Sequence, residues 1–316
     1  MARALRIEYP RAIYHVLSRG DRREEIVRDD GDRAAFVRVL EQACGRTGWE
    51  VHAWCLMSNH FHLVLETPRA NLCSGMKWFL GTYTQRYNAR HRLRGHVFGG
   101  RYKALLVDTR EGDYLRTVCD YVHLNPVRAG MVAADEALER YHWSSYRAFL
   151  LPPRQRPGWL RVDRLMGEHG IQRDSRVGRR EFGLATESIR NEQLPPELVG
   201  RIRRGWKFGA DDFVEWLMNK VSVSADAGHQ RLERDETETA RAEWIVREEL
   251  AARDWTEDEL ARRRKGDPEK VLIAARLRRE SAVTLKWIAS RLQMGTWTHV
   301  TNRLYHASKA ARSVNT

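Results

Sequence analysis

The spacing of apolar residues divides the first 150 residues into short strands and helices. Residues 12–18 (AIYHVLS) and 60–66 (HFHLVLE) are rich in β-formers, whereas the apolar residues of 32–44 recur at helical spacing. The predicted order is strands at 12–18, 49–57, 60–66 and 103–107, and helices at 32–44, 72–90 and 114–125. The last helix is expected to stop at Asn125 because proline follows. This β-α-β-β-α-β order with a trailing helix predicts an α+β fold, a ferredoxin-like antiparallel sheet with helices on one face.

Only helical patterns follow. Residues 151–158 (LPPRQRPG) carry three prolines without apolar periodicity, which is typical of a linker. Beyond them, helices are predicted at 195–204, 211–221, 236–253 and 268–279, so the C-terminal region is expected to be all-α. The predicted organisation is a first domain at 1–150, a linker at 151–160, a helical region without an assigned role at 161–260, and a separate C-terminal region at 261–316.

The charge of the chain narrows its partners. Lys and Arg number 55 against 42 Asp and Glu, a net charge of +13. Residues 67–110 hold nine basic residues and one acid, and residues 262–312 hold thirteen basic residues and three acids. A single charge run is usually a solvated helix face, but two such blocks favour a polyanionic partner, for which nucleic acid is the natural candidate.

Two further features of composition exclude other classes of protein. No run of about 18 apolar residues occurs, and the N-terminus leads into charged residues, so no membrane partner is predicted and a cytoplasmic, nucleoid-associated location is expected. The four cysteines are far apart and form no C-x-x-C pair, so we expect reduced thiols.

The segment His60-Phe61-His62 is the first candidate for chemistry. Residues two apart on a strand point to the same face, so both imidazoles can reach one ion while Phe61 faces away. Imidazole suits divalent transition ions, and with oxygen ligands or phosphate added it can also hold magnesium or manganese. An isolated H-x-H pair also fits ordinary surface or core histidines, so it needs a partner element.

The partner element is Tyr121-Val122-His123-Leu124-Asn125. Tyr121 and Asn125 are four apart and share a helix face, so Asn125 is predicted to be a third metal ligand and Tyr121 to lie beside the ion. A core tyrosine and a helix-capping asparagine are the structural alternative. A tyrosine hydroxyl is a poor nucleophile at neutral pH, and a divalent ion that polarises a phosphate would remedy this. The predicted chemistry is therefore phosphodiester cleavage and transfer through a phosphotyrosine.

Four motifs in order carry a family resemblance: IEYPRAIYHVLSRGDRRE, HFH, GHVFGGRYKALLVD and YVHLNPVRAG. Residues 5–150 resemble the REP-associated tyrosine transposases, a single-tyrosine branch of the HUH endonuclease superfamily. The resemblance implies Tyr121 as nucleophile, His60, His62 and Asn125 as ligands of Mg or Mn, and single-stranded DNA next to hairpin-forming palindromes as substrate. Gly99-Gly100 and Asp21 depart from the family pattern, in loops expected to contact DNA.

Residues outside the proposed metal site are predicted to contact DNA. Arg19, Arg101 and Lys103 lie next to the motifs and are candidates for phosphate contacts. Residues 284–292 and 296–304 resemble a helix-turn-helix, with Gln293 where a turn glycine is usual, and an ordinary helical hairpin is the alternative. Its second helix is predicted to offer Thr296, His299, Asn302 and Arg303 to duplex DNA.

Two other function classes fit parts of this pattern. One is a non-catalytic, sequence-specific DNA-binding regulator derived from a transposase, which the complete set of ligands and nucleophile disfavours. The other is a replication or conjugation initiator, and the sequence has no G-x-x-x-x-G-K-[ST] motif for an accompanying helicase. The sequence leaves a monomer and a homodimer equally open.

Overall fold

The computed structural model describes residues 6–222, 229–281 and 283–313. The chain divides into two compact units, residues 1–44 with 48–223 and residues 45–47 with 224–316. In the first unit the elements are β1 (Ala12–Arg19), α1 (Asp30–Thr47), β2 (Glu50–Leu56), β3 (His60–Thr67), α2 (Leu72–His91), β4 (Lys103–Val107), α3 (Tyr114–His123), α4 (Asn125–Arg128), α5 (Tyr146–Leu150), α6 (Asp163–Glu168), α7 (Arg176–Ser188), α8 (Pro196–Arg204), β5 (Lys207–Phe208) and α9 (Phe213–Ser222). In the second they are α10 (His229–Ala251), α11 (Glu257–Arg262), α12 (Pro268–Glu280), α13 (Leu285–Arg291) and α14 (Trp297–Ser313).

One five-stranded sheet organises the first unit. Its order is β2-β3-β1-β4-β5. The first four of these strands pair antiparallel, in the order of a ferredoxin-like sheet, which confirms the predicted α+β class. The two residues of β5 pair parallel to β4, a strand too short to leave an alternating pattern in the sequence.

Helices cover both faces of this sheet. The ring of Phe61 lies 5.1 Å from that of Phe36 on α1 and 5.8 Å from that of Phe79 on α2. Each such buried phenylalanine contributes about 2 kcal/mol by leaving water. The first two helices therefore share one face, as predicted. The trailing helix α3 packs on the opposite face, where the ring of Tyr121 lies 5.8 Å from that of His62.

Local capping explains where the first helix begins and ends. The Asp29 side chain accepts a hydrogen bond from the Asp32 amide at 2.9 Å and starts α1, two residues before the predicted position. Gly48 ends it in the left-handed region at φ 74°, where a side chain would be strained. Residues 32–44 thus form the middle of a longer helix.

The helix that carries Tyr121 ends earlier than predicted. α3 ends at His123, and the chain then makes the short helix α4, in which Pro126 is the second residue. A proline is tolerated in a first turn because its missing N–H would be unpaired there. The predicted helix over 114–125 is therefore two consecutive helices, and Asn125 opens the second one.

Residues 151–160, predicted as a linker, lie inside the first unit. Val51 donates to the Trp159 carbonyl at 3.1 Å, and the Arg161 amide donates to the Val51 carbonyl at 2.8 Å. Arg156 forms an ion pair with Asp174 at 2.5 Å. The prolines mark a non-helical segment, but these bonds tie it to the edge of β2, so it does not separate domains.

The second unit is a helical bundle with its own core. Ile245, Ile273, Leu277 and Val300 from three of its helices are fully or almost fully buried. Ile288 and Ala289 of α13 and Leu292, which caps this helix, are buried in the same core. Among the described residues, no helix is long and apolar enough to cross a membrane. All four cysteines are free thiols, as predicted.

Candidate active site

A cavity of about 460 Å³ opens on the sheet face covered by α3. His60, His62, Tyr121 and Asn125 all line it. The four residues come from β3, α3 and α4, and the antiparallel order of the sheet together with the packing of α3 brings them to one place. The structure therefore assembles the complete predicted set. Spacing placed each pair on one face, but the contact between the histidine pair and the Tyr121–Asn125 pair does not follow from spacing.

Each candidate histidine uses one ring nitrogen for orientation and keeps the other. His60 Nδ1 lies 2.7 Å from Asn59 Oδ1, and His62 Nδ1 lies 2.9 Å from His15 Nε2. In both rings Nε2 is thereby left for another partner. Burial, with the nearby charges of Arg19 and Arg203, lowers the pKa of His60 to about 4, and burial holds the pKa of His62 well below its usual value. Both imidazoles are neutral at pH 7, the form that binds metals.

Asn125 behaves in the same way. Its Nδ2 donates to the Tyr121 carbonyl at 3.0 Å, so its Oδ1 remains as a neutral oxygen donor in the cavity. Two imidazole nitrogens and an amide oxygen are a donor set that fits magnesium or manganese when phosphate oxygens complete the shell. Within the described part of the chain, no group of three or more His, Cys, Asp or Glu side chains is arranged to hold a metal, so this mixed set is the candidate.

Tyr121 lies in a basic environment. Its side chain is 1% exposed, and its hydroxyl accepts a hydrogen bond from Arg203 Nε at 2.8 Å. The guanidinium of Arg128 stands 5.1 Å from the centre of the ring, and Arg128 also donates to the Tyr121 carbonyl at 3.3 Å. The hydrogen bond from Arg203 fixes the position of the Tyr121 oxygen in the cavity.

His15 links this cavity to α8. Its ring stacks on that of His62 at 5.2 Å between centroids. Burial lowers the pKa of His15 to about 4, against a backbone hydrogen bond to Ile202 that raises it. If the Ile202 carbonyl accepts one ring N–H of His15, His15 Nε2 must accept from His62 Nδ1, and the lone pair of His62 then rests on Nε2. Such a partner beyond the ligand commonly fixes the tautomer of a metal-binding histidine.

The predicted phosphate contacts Arg19, Arg101 and Lys103 all line the cavity. Register explains two of them: Arg19 stands opposite His60 on the neighbouring strand, and Lys103 stands opposite Leu17, which itself faces His62. With Arg128, Arg203 and Arg204 the cavity has six basic lining residues, and its described lining includes no acid.

The two loops that depart from the family pattern meet at the rim. Gly99 donates to the Arg19 carbonyl at 2.9 Å, and the Asp21 amide donates to the Val97 carbonyl at 3.0 Å. A Cβ on Gly99 would stand 3.1 Å from Asp21 Cα, so the close approach of the loops favours glycine there. Gly100 has φ 69°, which a side chain would strain.

Sequence reasoning missed His15, Arg203 and Arg204. The strand AIYHVLS has a polar residue, His15, at its centre, and this was a signal in the sequence. Side chains alternate along a strand, so His15 lies on the same sheet face as Leu17 and its neighbour His62. No sequence signal identifies Arg203 or Arg204. They come from the region without an assigned role, and the pairing of β5 with the sheet edge carries α8 to the cavity.

The predicted contacts of the second unit are arranged unevenly. Thr296 and Asn302 are exposed, whereas His299 is half-buried and its Nε2 has no hydrogen-bond partner. Arg303 is exposed, but its guanidinium packs against Gly266. A Cβ built on Gly266 would stand 2.6 Å from the nearest nitrogen of that guanidinium. The turn between α13 and α14 contains Gln293 at φ 51°, in the position where a glycine was expected. The outward orientation predicted for all four residues therefore holds for three.

Comparison with known proteins supports the resemblance. Residues 8–125 match the family described as "Transposase IS200 like". A solved structure titled "Structure of the REP associates tyrosine transposase bound to a REP hairpin" aligns with 47% of this chain and 84% of its own, at 18% identity and a TM-score of 0.37. No curated protein matches the sequence. The family match includes β1, the His60–His62 strand and the helix of Tyr121, and it confirms that residues 8–125 are similar to the IS200-like transposases.

Proposed function

We propose that the protein is a metal-dependent, single-stranded DNA endonuclease and strand-transferase that acts near hairpin-forming palindromes. The observation that carries this proposal is that Tyr121 and two neutral histidines line one basic cavity, with each histidine oriented by a hydrogen bond to its Nδ1. The Arg203 guanidinium, with its Nε 2.8 Å from the Tyr121 oxygen, places a positive charge beside the proposed nucleophile. A transposase-like role in DNA binding and cleavage agrees with the family match.

The proposed reaction conserves the phosphodiester bond energy. The Tyr121 hydroxyl gives its proton to water, and its oxygen attacks the scissile phosphorus. The bond from phosphorus to the 3′ oxygen breaks, that oxygen takes a proton from water, and one strand keeps a 5′-phosphotyrosine link to the protein. Attack of another 3′ hydroxyl on this link reverses the chemistry and frees Tyr121, so strands are joined without ATP.

Residues of the chain divide the work of this reaction. His60, His62 and Asn125 would hold a divalent ion, magnesium or manganese, which polarises the phosphate and stabilises the charge on the departing oxygen when it is bound. Arg203 orients the Tyr121 oxygen and stabilises negative charge on it. Arg19, Arg101 and Lys103 would hold the phosphates of the single strand.

The test is covalent trapping of DNA by the full-length chain. Hairpin oligonucleotides from the DNA that flanks the gene, labelled at the 5′ or the 3′ end, are incubated with and without manganese. The expected product is a metal-dependent protein–DNA adduct that retains only the label on the 3′ side of the cut. Tyr121→Phe should abolish it. Tyr114→Phe is the matched control, because Tyr114 begins the same helix, packs on Phe208 and does not line the cavity.

Binding of the hairpins by the wild type without any adduct, at every metal tested, would reverse the proposal. The protein would then be a DNA-binding regulator with an inactive site. An adduct that persists in Tyr121→Phe would move the nucleophile to another residue and leave the nuclease function intact.

We propose further that α13 and α14 bind duplex DNA, such as a hairpin stem. Exposed Thr296, Trp297 and Asn302 near the start of α14 support this, because a recognition helix reads base edges with its N-terminal residues. The double variant Thr296→Ala with Asn302→Ala should lower affinity for a hairpin with a long stem and leave adduct formation on a single strand unchanged. Equal affinity for the stem in variant and wild type would contradict this role.

A further inference from the structure

A second cavity, of about 630 Å³, adjoins the candidate active site. The two cavities share Arg101, Lys103 and Arg204, so a chain that leaves one can enter the other along a row of basic side chains. Arg6 lines only the second cavity and adds a fourth basic group. The described lining of this cavity includes no acidic residue.

Trp206 is the exposed aromatic residue of the second cavity. Its side chain is 51% exposed, although large apolar residues usually seek burial. Its backbone is held in place, because the Leu106 amide of β4 donates to the Trp206 carbonyl at 2.9 Å. The neighbouring Gly205 permits the tight exit of the chain from α8, since a Cβ there would stand 2.4 Å from the Arg201 carbonyl oxygen. The indole is thus displayed on a rigid edge of the sheet.

The other two aromatic rings of this cavity, those of Tyr14 and Tyr102, are buried. The guanidinium of Arg6 lies 3.6 Å from the centre of the Tyr102 ring, and the Tyr102 hydroxyl donates to Cys73 Sγ at 3.6 Å. Tyr102 is buried, so it offers no face to a ligand. Trp206 is left as the flat, accessible surface among the described residues of this cavity.

We propose that the second cavity binds one nucleotide of the single-stranded arm next to the scissile phosphate, with its base stacked on Trp206 and its phosphate between Arg101 and Arg204. Exposed indole combined with a basic, acid-free groove is the pairing that single-stranded nucleic acid requires, because every base has a π-face and every nucleotide a negative charge. This subsite rests on the proposed function for its ligand. Trp206 itself lies outside the residues matched by the transposase family.

The test locates the stacked base by removing bases one at a time. Full-length Tyr121→Phe protein, which leaves the DNA intact, is titrated by fluorescence anisotropy with a hairpin that carries a single-stranded arm. A series of such hairpins has one abasic site, moved along the arm. With Trp206 present, one abasic position should weaken binding roughly tenfold. With Trp206→Ala, the hairpin without an abasic site should bind about tenfold more weakly, and the same abasic position should cost nothing more.

Two variants keep the test independent of folding. Trp206→Phe retains an aromatic face and should recover most of the lost affinity. Trp244→Ala removes an indole of similar exposure, 59%, from α10 of the second unit. This variant should bind every oligonucleotide with the affinity of the parent protein. If Trp206→Ala matches the parent on all oligonucleotides, or loses affinity equally at every abasic position, the stacking subsite is wrong.

Adduct formation by the Tyr121 protein, measured in parallel, separates this inference from the proposed function. An adduct together with Trp206-independent binding would overturn the subsite alone. No adduct together with Trp206-dependent stacking would overturn the nuclease and leave the subsite. No binding of any single-stranded arm would overturn both.

Discussion

Arginine side chains meet opposite surroundings in the two units. In the second unit, Arg276 contacts the carboxylates of Glu248, Glu249 and Glu280 at 2.6 to 3.1 Å. In the candidate active site, Arg101 forms no ion pair with any described carboxylate. The two arginines therefore have different electrostatic states. The charge of Arg276 is neutralised by carboxylates of its own unit, whereas the charge of Arg101 is left available to a polyanion.

The order of charges along the chain explains part of this difference. An acidic stretch, residues 226–259, precedes the basic block 262–312. Within the second unit the two are brought together: Arg291 pairs with Glu243 and Glu257, and Arg263 with Glu259. The sequence-based interpretation of this block as a DNA-binding surface overstated its free charge, because partners distant in sequence become neighbours in the fold. In the block 67–110, Arg90 and Arg110 also pair with carboxylates. Arg101 and Lys103 instead line a cavity whose described lining includes no acid.

The largest effect that tests this comparison is loss of the proposed metal ligands. His62→Ala removes a ligand nitrogen and should lower adduct formation more than a hundredfold. His15→Phe removes only the group that orients His62, and should raise the manganese concentration needed for half-maximal adduct roughly 10- to 100-fold. His96→Ala, at an exposed position outside the cavity, should behave as wild type. An unchanged manganese dependence in His15→Phe would contradict its positioning role.

Salt dependence separates the two kinds of arginine directly. Each phosphate contact to a single strand contributes about 0.7 to the slope of log affinity against log salt concentration. Arg101→Ala should therefore reduce that slope by about 0.7 for a single-stranded oligonucleotide. Arg276→Ala changes the net charge equally but should leave the slope unaltered, because this arginine is already neutralised. Equal slopes for both variants would show that Arg101 and Arg276 do not differ in their availability to DNA phosphates.

Acid should destabilise the second unit by protonating carboxylates that are paired with arginine. A hydrogen bond from Arg291 holds the pKa of Glu257 below its ordinary 4.5, and hydrogen bonds from Arg276 and Arg253 outweigh the opposing effect of burial on Glu249. A carboxylate with a depressed pKa in the folded state stabilises the fold above pH 4.5, and this contribution is lost as the pH falls further. Each partly exposed pair contributes no more than about 1 kcal/mol.

Hydrogen exchange of peptides from residues 239–281, measured at pH 7 and at pH 3.5 after correction for intrinsic exchange rates, reports this loss. The acid sensitivity should shrink in Arg291→Ala, which has already lost the pair. A variant as acid-sensitive as the wild type would show that these carboxylates are not responsible.

The smallest expected effect concerns the turn between α13 and α14. Gln293 has φ 51° and Gly295 has φ 84°. A non-glycine residue in the left-handed region costs about 1 kcal/mol, so Gln293→Gly should raise the free energy of unfolding of the second unit by up to that amount. Gly295→Ala should lower it by a similar amount. Chemical denaturation followed by hydrogen exchange of residues 283–307 measures both, and a destabilised Gln293→Gly would refute the strain argument.

Most strands and helices of the first unit could be predicted from the sequence, because each is specified by a local pattern of apolar and polar residues. Alternation predicted the four long strands, and helical spacing predicted the helices that follow them along the chain. Each pattern reports the face that a single element buries. The H-x-H pair and the tyrosine with an asparagine four residues on were recognisable for the same reason. The end of α3 was not, because Pro126 can also occupy the first turn of a new helix.

The sequence by itself determined the elements of this protein and the residue types available for chemistry, since both follow from short-range periodicity and side-chain identity. The tertiary structure alone decided three things: the packing of Tyr121 against the histidine face, the pairing of β5 that brings Arg203 and Trp206 to the cavities, and the ion pairing of Arg276 and Arg291 in the second basic block. The physical reason is common to all three. Register, sheet-edge pairing and ion pairing join residues that are tens of positions apart, and no local pattern of hydrophobicity or charge records such contacts.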